Sequence, residues 1–359
     1  MKRIVGLILL LCISQLSFAQ PDRDREKAMN NVKQALIFQD QGKMDEALKL
    51  LEEAVRLDPE TTDVSYELAI AYYRKGQFQK AASVMEKLLK KPDVTAPMYQ
   101  LLGNSYDSLS NVEKAIGTYL DGLVKFPTSG ELYLEMGTMY LSRKEYNAAL
   151  TMYEKGIRAN PAFPSNYYWA AKIYCNSNEA VWGMIYGEIF ILLERDTKRT
   201  DDISKLLYDT YKKRIHFPSD GKFGVNFSEA KYIYDSATKT NKVPFPKSVY
   251  EPTIMLALLR EKTVDIASLS RVRRYFLESY FKNNNYQTYP NVLFDFQYRV
   301  KKAGFLDQYN YWILYKGDEA AANKWIGANK AKWDAFMNWM KKNELSLDAK
   351  YKFYKDQYN

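Results

Sequence analysis

Residues 130–163 read GELYLEMGTMYLSRKEYNAALTMYEKGIRANPAF, and this stretch decides the fold because its pattern recurs every 34 residues. Recurrence at such a period is typical of repeat proteins, in which copies of one small unit stack on each other. The clearest column holds small residues, namely Ala47, Ala81, Ala115, Ala149 and Gly183. Four further columns keep the same step, and they are Phe38, Tyr72, Tyr106, Tyr140 and Tyr174; Ala35, Ala69, Gly103, Gly137 and Ala171; Leu51, Met85, Tyr119 and Tyr153; and Ala54, Leu88, Gly122 and Gly156.

The alternation of small and large columns predicts two packed helices in every unit. A small residue lets the helices approach each other, and a large side chain from one helix fills the space beside the other. Proline closes the units, because it lacks an N–H group and disfavours helical geometry in the residue before it. The closing prolines are Pro59, Pro92, Pro127 and Pro161. The fold class is therefore expected to be all-α.

These residues and spacings resemble the tetratricopeptide repeat (TPR) family over five units. The units cover residues 28–61, 62–95, 96–129, 130–163 and 164–196. The resemblance implies a TPR-type helical solenoid. It weakens at both ends of the array, where Asn31 and Gln34 replace large residues and Gly187 stands where a bulky residue is expected.

In the TPR family, the first helices of successive units line a concave groove that binds extended peptides or partner helices. The resemblance places ten residues in this groove, namely Tyr66, Ile70, Tyr73, Gln100, Asn104, Asp107, Leu134, Thr138, Tyr168 and Lys172. Family members that clamp a terminal carboxylate use Lys and Asn in the first unit. Val32 and Leu36 occupy those positions here, so a carboxylate clamp is rejected. For any single groove residue, a solvated or interhelix position is the alternative to ligand contact.

The first nineteen residues have the composition of a secretory signal peptide. Lys2 and Arg3 precede an apolar run, and Ala19 ends a short stretch that contains small residues. The run is too short to span a bilayer, so a retained membrane anchor is the weaker interpretation. Cleavage after Ala19 leaves residues 20–27 as a short N-terminal lead, and no later segment resembles a second membrane span. The chain is therefore expected to be exported, to the periplasm if the source is a Gram-negative bacterium.

Residues 197–359 lose the 34-residue step but still read as helices with short breaks. Capping residues begin several of these helices, and prolines interrupt the longest loop. The candidate helices are residues 202–214, 228–240, 248–262, 265–282, 290–303, 305–315, 318–343 with a weak point at Gly327, and 347–358. This helical C-terminal region is expected either to continue the solenoid in degenerate form or to cap its last apolar face.

The C-terminal region is also rich in aromatic residues. All six tryptophans follow residue 164, and side chains such as Trp333, Phe336 and Met340 fall at helical spacing. Stripes of this kind usually pack between helices. A carbohydrate-binding groove is the alternative that stays open.

Positive charge is concentrated in the second half of the chain. Residues 20–163 carry 19 Lys and Arg against 21 Asp and Glu, whereas residues 164–359 carry 31 against 22. The densest basic clusters are residues 212–214 and 271–274. Basic clusters can bind phosphates. In an exported chain, however, an anionic envelope component or an ordinary solvated face is the better interpretation, and nucleic acid is not expected.

Residues that would support catalysis are few. His216 is the single histidine and Cys175 is the single cysteine after signal removal, so a catalytic triad, a zinc site and an internal disulfide are not expected. No phosphate-binding or calcium-binding loop is present, and no cofactor is predicted. Glu278 and Ser279 resemble the Glu-Ser pair of soluble lytic transglycosylases, but the segment that follows this pair in that family is missing. We do not expect an enzyme.

The leading hypothesis is an exported protein–protein interaction scaffold that binds a peptide or a partner helix in the TPR groove. An assembly factor for an envelope or secretion complex is a special case of this hypothesis. The alternative is a glycan-binding or glycan-active envelope protein that uses the aromatic C-terminal region. The sequence carries no signature of the partner itself.

Overall fold

A computed structural model describes residues 22–217, 224–231, 233–235 and 240–358. Helices account for most of these residues, which confirms the predicted all-α class. The chain divides into two compact units, one that runs to Met136 and one that starts at Gly137. The predicted signal peptide lies outside the described residues.

Five helical hairpins follow one another in the repeat region, each made of a first and a second helix. They are α1 (residues 22–40) with α2 (Met44–Leu57), α3 (Thr62–Arg74) with α4 (Phe78–Leu88), α5 (Ala96–Ser108) with α6 (Val112–Lys125), α7 (Gly130–Ser142) with α8 (Tyr146–Ala159), and α9 (Pro164–Cys175) with α10 (Ala180–Leu193). Gly42 and Gly76 adopt φ angles of 74° and 76° in the turns of the first two hairpins, a conformation that favours glycine. The 34-residue step of the sequence is thus the step of one helical hairpin.

The small columns of the sequence mark the places where the two helices of a hairpin touch. A Cβ atom at Gly103 would overlap the ring of Tyr119, and one at Gly137 would overlap the ring of Tyr153. Both rings are buried. The alanines of the clearest column, Ala47, Ala81, Ala115 and Ala149, are also completely buried. The alternation of small and large residues therefore packs as predicted.

The tyrosines of the aromatic column add a polar contact that repeats along the chain. In three of these four tyrosines, the hydroxyl donates to a glutamate twenty residues earlier, on the second helix of the preceding hairpin. Burial is the main cause that raises the pKa of Tyr72 and of Tyr106 to about 12, and the neighbouring glutamate adds to it. The hydroxyls therefore remain donors at neutral pH. The pairs are Tyr72 with Glu52 at 2.7 Å, Tyr106 with Glu86, and Tyr174 with Glu154 at 2.8 Å.

We expect Tyr72→Phe to lower the free energy of unfolding by about 0.5–1.5 kcal/mol, the usual contribution of one hydrogen bond. The matched control is Tyr66→Phe on the same helix, because the Tyr66 hydroxyl has no hydrogen-bond partner among the described residues. Urea unfolding monitored by circular dichroism measures both variants. Equal losses in the two variants would contradict a stabilising role for the Tyr72–Glu52 bond.

The fifth hairpin departs from the repeat pattern because a further helix, α11 (Lys198–Arg214), packs closely against α10. A Cβ atom at Gly187 would lie 2.9 Å from Leu207 Cδ2 of α11, so the bulky residue that the family pattern predicts has no room. Residues 180–192 are all buried. The second helix of this hairpin is thus part of the hydrophobic core of the unit that starts at Gly137.

Helices continue after α11 and fall close to most of the predicted ranges. Asp265 caps one of them by accepting a hydrogen bond from the amide of Ser268 at 2.7 Å, as its capping sequence indicates. A π-helix at Pro246–Tyr250 precedes the first of them. The helices are α12 (Glu251–Leu258), α13 (Ile266–Lys282), α14 (Asn285–Thr288), α15 (Val292–Lys302), α16 (Leu306–Ile313), α17 (Glu319–Ala328) and α18 (Lys330–Lys342), with 3-10 turns at Tyr315–Gly317 and Lys355–Tyr358.

The predicted helix at residues 228–240 is wrong. The carbonyl of Phe227, which would accept the first bond of such a helix, accepts instead from the amide of Val181 at 3.1 Å, while the amides of Phe227 and Ser228 donate to Glu251 Oε1 at 2.7 and 2.8 Å. Strand pairing then takes up the backbone groups that a helix would use. The antiparallel pairs in this part of the chain are β1 (Ile215–His216) with β2 (Gly224–Val225), and β3 (Ile233–Asp235) with β4 (Thr240–Lys242).

The predicted helix at residues 347–358 is also wrong, apart from the 3-10 turn at its end. The amide of Lys355, which a helix would bond to the carbonyl of Tyr351, donates instead to the Tyr186 hydroxyl at 2.8 Å, and the carbonyl of Tyr351 accepts from the amide of Asp348 at 3.0 Å. Phe353 and Tyr358 are then buried against other aromatic rings. An irregular tail with two aromatic anchors replaces the expected helix.

Candidate functional site

Side-chain hydrogen bonds join the first helices of successive hairpins within the compact unit that ends at Met136, called the first unit below. Each bond links two residues that are 35 positions apart, so it connects a first helix to the first helix of the next hairpin. The helices α1, α3, α5 and α7 therefore share one face, up to Met136. The bonds run from Arg74 to Gln39 at 2.6 Å, from Ser108 to Tyr73 at 3.5 Å, and from Gln100 to Glu135 at 2.7 Å.

The predicted groove residues of the first unit lie on these first helices. Most are half-buried, which leaves part of each side chain open to a partner. Asp107 is exposed. The ring of Tyr73 meets the edge of Phe78 at a centroid distance of 5.2 Å, so it is held in place. The set comprises Tyr66, Ile70 and Tyr73 on α3, Gln100, Asn104 and Asp107 on α5, and Leu134 on α7.

Glu135 is a residue of this face that the sequence reasoning missed. Its carboxylate accepts hydrogen bonds from the side-chain amides of Gln100 and Asn104. Burial is the main reason why the pKa of Glu135 is raised, and the negative charge of Asp107 raises it further. The two amide bonds act in the opposite direction but do not cancel the shift. The face thus combines apolar rings, amides and a partly buried carboxylate.

The raised pKa of Glu135 predicts a pH dependence of stability. A carboxyl with a raised pKa in the folded state binds its proton more tightly when the protein is folded. Its contribution to stability is therefore most favourable at low pH and is lost as the pH rises through the folded-state pKa. We expect Glu135→Gln to be more stable than the native chain near pH 7, and the difference to shrink near pH 4. Urea unfolding at the two pH values measures it, and a difference that is independent of pH would contradict the assignment.

The predicted groove residues of the second unit have more varied surroundings. Thr138 is exposed. Tyr168 is only 6% exposed, because Phe190 packs against its ring and the guanidinium of Arg199 lies 5.1 Å from the ring centroid. Lys172 is half-buried, and its amine lies 5.0 Å from the same ring and donates to the Tyr168 hydroxyl at 3.2 Å. Tyr168 therefore positions Lys172 and offers little ring surface to a partner.

Three hollows lie side by side on the second unit and share their rims. An apolar hollow of about 480 Å³ shares Lys172 and Asn176 with a charged hollow of about 440 Å³. The charged hollow in turn shares Asp201 and Lys316 with an aromatic hollow of about 350 Å³. We call the three together the trough. Its characteristic linings are Leu141, Tyr146, Leu150, Trp169 and Ile173 in the apolar hollow, Asp202, Lys205, Asp209 and Glu319 in the charged hollow, and Trp312, Tyr315, Trp333 and Met337 in the aromatic hollow.

The tryptophans mostly pack between side chains of neighbouring elements, in line with the favoured interpretation of the sequence. Trp182 is buried against Phe353. The other five are half-buried. Three of these, Trp169, Trp312 and Trp333, also border the trough. Aromatic surface is therefore available at both ends of the trough.

The basic clusters, for which an anion site and a solvated face were both considered, are largely engaged within the protein. Arg214 is buried and donates to the backbone carbonyl of Ser177. The three arginines of residues 271–274 each pair with a carboxylate, so the expected anionic envelope component gains no support from them. These pairs are Arg271 with Glu261 at 2.6 Å, Arg273 with Glu188 at 2.7 Å, and Arg274 with Asp307.

The side chains considered for catalysis lie in different surroundings. Glu278 is 2.9 Å from the amine of Lys301, and His216 is exposed at the end of β1. Cys175 is buried, and burial raises the pKa of its thiol to about 12. Within the described ranges, no cluster of His, Cys, Asp and Glu is arranged to hold a metal ion. Every helix in that part of the chain is too short or too polar to cross a membrane.

Comparisons with known proteins agree with the hairpin geometry. Family models described as tetratricopeptide repeat match residues 38–104 and 130–163. No curated protein matches the sequence of the chain. Among solved structures, the Pseudomonas aeruginosa protein pilF is similar, with 19% identity and a TM-score of 0.43 over 54% of this chain and 85% of that one.

Two further solved structures are similar over half of this chain. TTC0263, a thermophilic TPR protein in Thermus thermophilus, has 18% identity and a TM-score of 0.41, with 50% of this chain and 98% of that one covered. YrrB, described as a TPR protein with an unusual peptide-binding site, has 16% identity and a TM-score of 0.35, with coverages of 50% and 92%. The identification rests on the two family models and on the packing of the repeated small and large residues. The chain carries tetratricopeptide repeats, which the family models match over residues 38–104 and 130–163.

Proposed function

We propose that this protein is an interaction scaffold that binds a peptide or a partner helix on the face formed by the first helices of its repeats. The observation that carries the proposal is the row of half-buried side chains on α3, α5 and α7, in which hydrogen bonds to the next first helix hold Tyr73 and Gln100 in place. Side chains that are already ordered lose little conformational freedom when a partner binds. A preorganised surface of this kind suits the recognition of a protein segment.

The chemistry of this face favours an amphipathic segment. Tyr66, Ile70 and Tyr73 supply apolar contact area on α3, and aromatic side chains are common anchors in protein interfaces. The side-chain amides of Gln100 and Asn104 on α5 each use one N–H for Glu135, so the second N–H of each can pair with a backbone. A bound segment would therefore place apolar side chains over α3 and polar groups over α5.

Affinity capture with matched variants tests the proposal. The tagged chain is used to recover partners from envelope extracts, in parallel with Tyr73→Ala, Asn104→Ala and the control Val124→Ala. Val124 lies on a second helix and is 83% exposed, so its removal leaves the first-helix face intact. We expect a specific partner to be lost with the first two variants and kept with the control. A partner that all variants retain would count against the first-helix face.

We also propose that the chain is exported through a signal peptide cleaved after Ala19. Support comes from Lys2, Arg3 and the apolar run that follows them, which have the order of a signal peptide. N-terminal sequencing of the protein from an expressing bacterium tests it, with Gln20 expected as the first residue. Recovery of the uncleaved chain in the cytoplasm would contradict export. An assembly role in an envelope complex is a special case that the identity of a captured partner would reveal.

A further inference from the structure

We infer that the trough of the second unit binds one protein segment, which carries a large apolar side chain at each end and a basic residue between them. The inference rests on the proposed function, since both require that the chain binds protein segments. It adds the non-repeat helices α11, α16 and α18 to the binding surface. It also specifies the chemistry of the partner.

The two ends of the trough are suited to apolar anchors. At one end, Tyr146 is 51% exposed and Trp169 is half-buried above the apolar floor formed by Leu150. At the other end, Trp312 and Trp333 border the aromatic hollow. Aromatic rings present a large, rigid contact area to an incoming side chain. Two separate apolar hollows joined by a charged one match a segment with two anchors.

The middle of the trough has an excess of negative charge. The lysines there are engaged, because Lys205 lies 2.7 Å from Asp209 and Lys316 lies 3.3 Å from Asp201. Lys172 interacts with the rings of Tyr168 and Trp169. Asp202, by contrast, is exposed and makes no ion pair with any described residue.

Charge complementarity therefore favours a lysine or arginine in the partner, placed opposite Asp202. A basic side chain at this point can pair with a carboxylate that the fold leaves open. An acidic side chain would instead meet four carboxylates and compete for lysines that are already engaged. A positive charge on the central residue of the partner is thus the most specific requirement of the trough.

A glycan is a weaker match to the whole trough than a protein segment. Sugars stack on aromatic rings and need many hydrogen-bonding groups around them. The aromatic hollow offers both, with Trp312 and Trp333 near Asp201 and Lys316. The apolar hollow is lined mainly by hydrocarbon and ring surface. Only a segment with apolar side chains makes use of both ends.

Selection of peptides against the full chain tests the inference. A phage-displayed library of random peptides is panned on the purified protein, and the best peptide is synthesised with a fluorescent label. Binding is measured by fluorescence anisotropy with Tyr146→Ala, Trp333→Ala and Asp202→Arg, and with Lys330→Ala, on the exposed surface of α18, as control. Circular dichroism verifies that each variant is folded.

We expect the selected peptides to share two large apolar positions with a basic position between them. Each trough variant should weaken binding about tenfold or more, whereas the control should not. Asp202→Arg should regain affinity for a peptide whose basic residue is replaced by glutamate. This charge-swap recovery separates a binding contact from a general loss of structure.

The other outcomes overturn the inference in distinguishable ways. If Tyr73→Ala and Asn104→Ala abolish binding but the trough variants do not, the proposed function stands and the inference about the trough fails. If soluble peptidoglycan fragments bind in a manner that depends on Trp333 and displace the peptide, the site is a glycan site. If no peptide is enriched, both the proposed function and the inference are contradicted.

Discussion

Arg273→Ala is expected to lower the free energy of unfolding by about 3–5 kcal/mol, the cost of leaving one member of a buried ion pair without its partner. Arg273 and Glu188 lie on α13 and α10, and their side chains are only 9% and 4% exposed. Both oxygens of Glu188 lie within 2.8 Å of Arg273 Nη2. Burial by itself lowers the pKa of Arg273, but the charge of Glu188, the hydrogen bonds to it and the neighbouring Tyr211 and Tyr309 together raise that pKa well above its usual value. Arg273 thus stays charged inside the second unit.

Neighbouring side chains satisfy the remaining polar atoms of this pair. Removal of Arg273 would therefore leave Glu188 as a buried charge, with only uncharged donors around it. The neighbours join α13 and α10 to α11, α15 and α16, so the network holds several elements of the second unit. They are Gln297 and Tyr309, which donate to Glu188, Asn310, which accepts from Arg273, and Tyr211, whose hydroxyl accepts from Arg273.

The control for this prediction is Lys330→Ala, which removes an exposed ion pair from the same unit. Lys330 and Asp334 lie 2.6 Å apart, one helical turn from each other, but their side chains are 69% and 53% exposed. Exposed pairs of this kind contribute about 0.3–0.5 kcal/mol. Urea unfolding measures both variants. If Arg273→Ala cost no more than Lys330→Ala, the buried network would have no part in holding the second unit together.

Gly103→Ala and Gly117→Ala are expected to change stability in opposite directions, although the same methyl group is added to adjacent helices of one hairpin. At Gly103 the new Cβ atom overlaps the buried ring of Tyr119, and overpacking of this kind costs about 1–3 kcal/mol. At Gly117 nothing lies within 4 Å of the new atom. Alanine there should stabilise α6 by about 0.5–1 kcal/mol, because it restricts the unfolded chain and favours the helix.

Thermal and urea unfolding of the two glycine variants measure the difference in sign. A stabilising effect of Gly103→Ala would mean that the first and second helices of the hairpin do not approach each other as closely as the small column requires. The result would then undermine the packing scheme shared by all the repeats.

The repeat region was predictable from the sequence because its packing is local and recurs. The same contact occurs in two repeats, where Gly103 lies beside Tyr119 and Gly137 lies beside Tyr153. One sequence pattern therefore describes both. The fifth hairpin could not be predicted in this way. Gly187 departs from the family pattern only because Leu207 of α11, a helix outside the repeats, occupies the space.

The errors in the C-terminal region have a related cause. Residues 228–240 have a capping serine and an acceptable helical composition, but the carbonyl of Phe227 accepts from the amide of Val181 on α10, and residues 233–235 pair with residues 240–242. No local sequence pattern predicts that long-range contact. Tertiary hydrogen bonds therefore override local helical preference at this point.

The candidate site was predictable only in part. The family resemblance located the first-helix residues of the first unit, but it did not reveal that Phe190 and Arg199 bury Tyr168. Glu135 was missed because Leu101 and Trp169 occupy the same position in the neighbouring units, so no column marks it.

The trough was missed for a different reason. It assembles residues that are far apart in sequence, such as Trp169, Asp202 and Trp333. Packing of the non-repeat helices against the last hairpin brings them together. The spacing of residues along the sequence therefore does not predict such a surface.

Photo-crosslinking at matched positions is the most direct test of the central claim that the first helices form the binding face. A photoreactive amino acid is placed at Ile70, which is half-buried on α3, or at Val124, which is 83% exposed on α6. We predict that irradiation in the presence of the captured partner yields a covalent adduct from position 70 and none from position 124. Adducts from position 124 alone would contradict the claim.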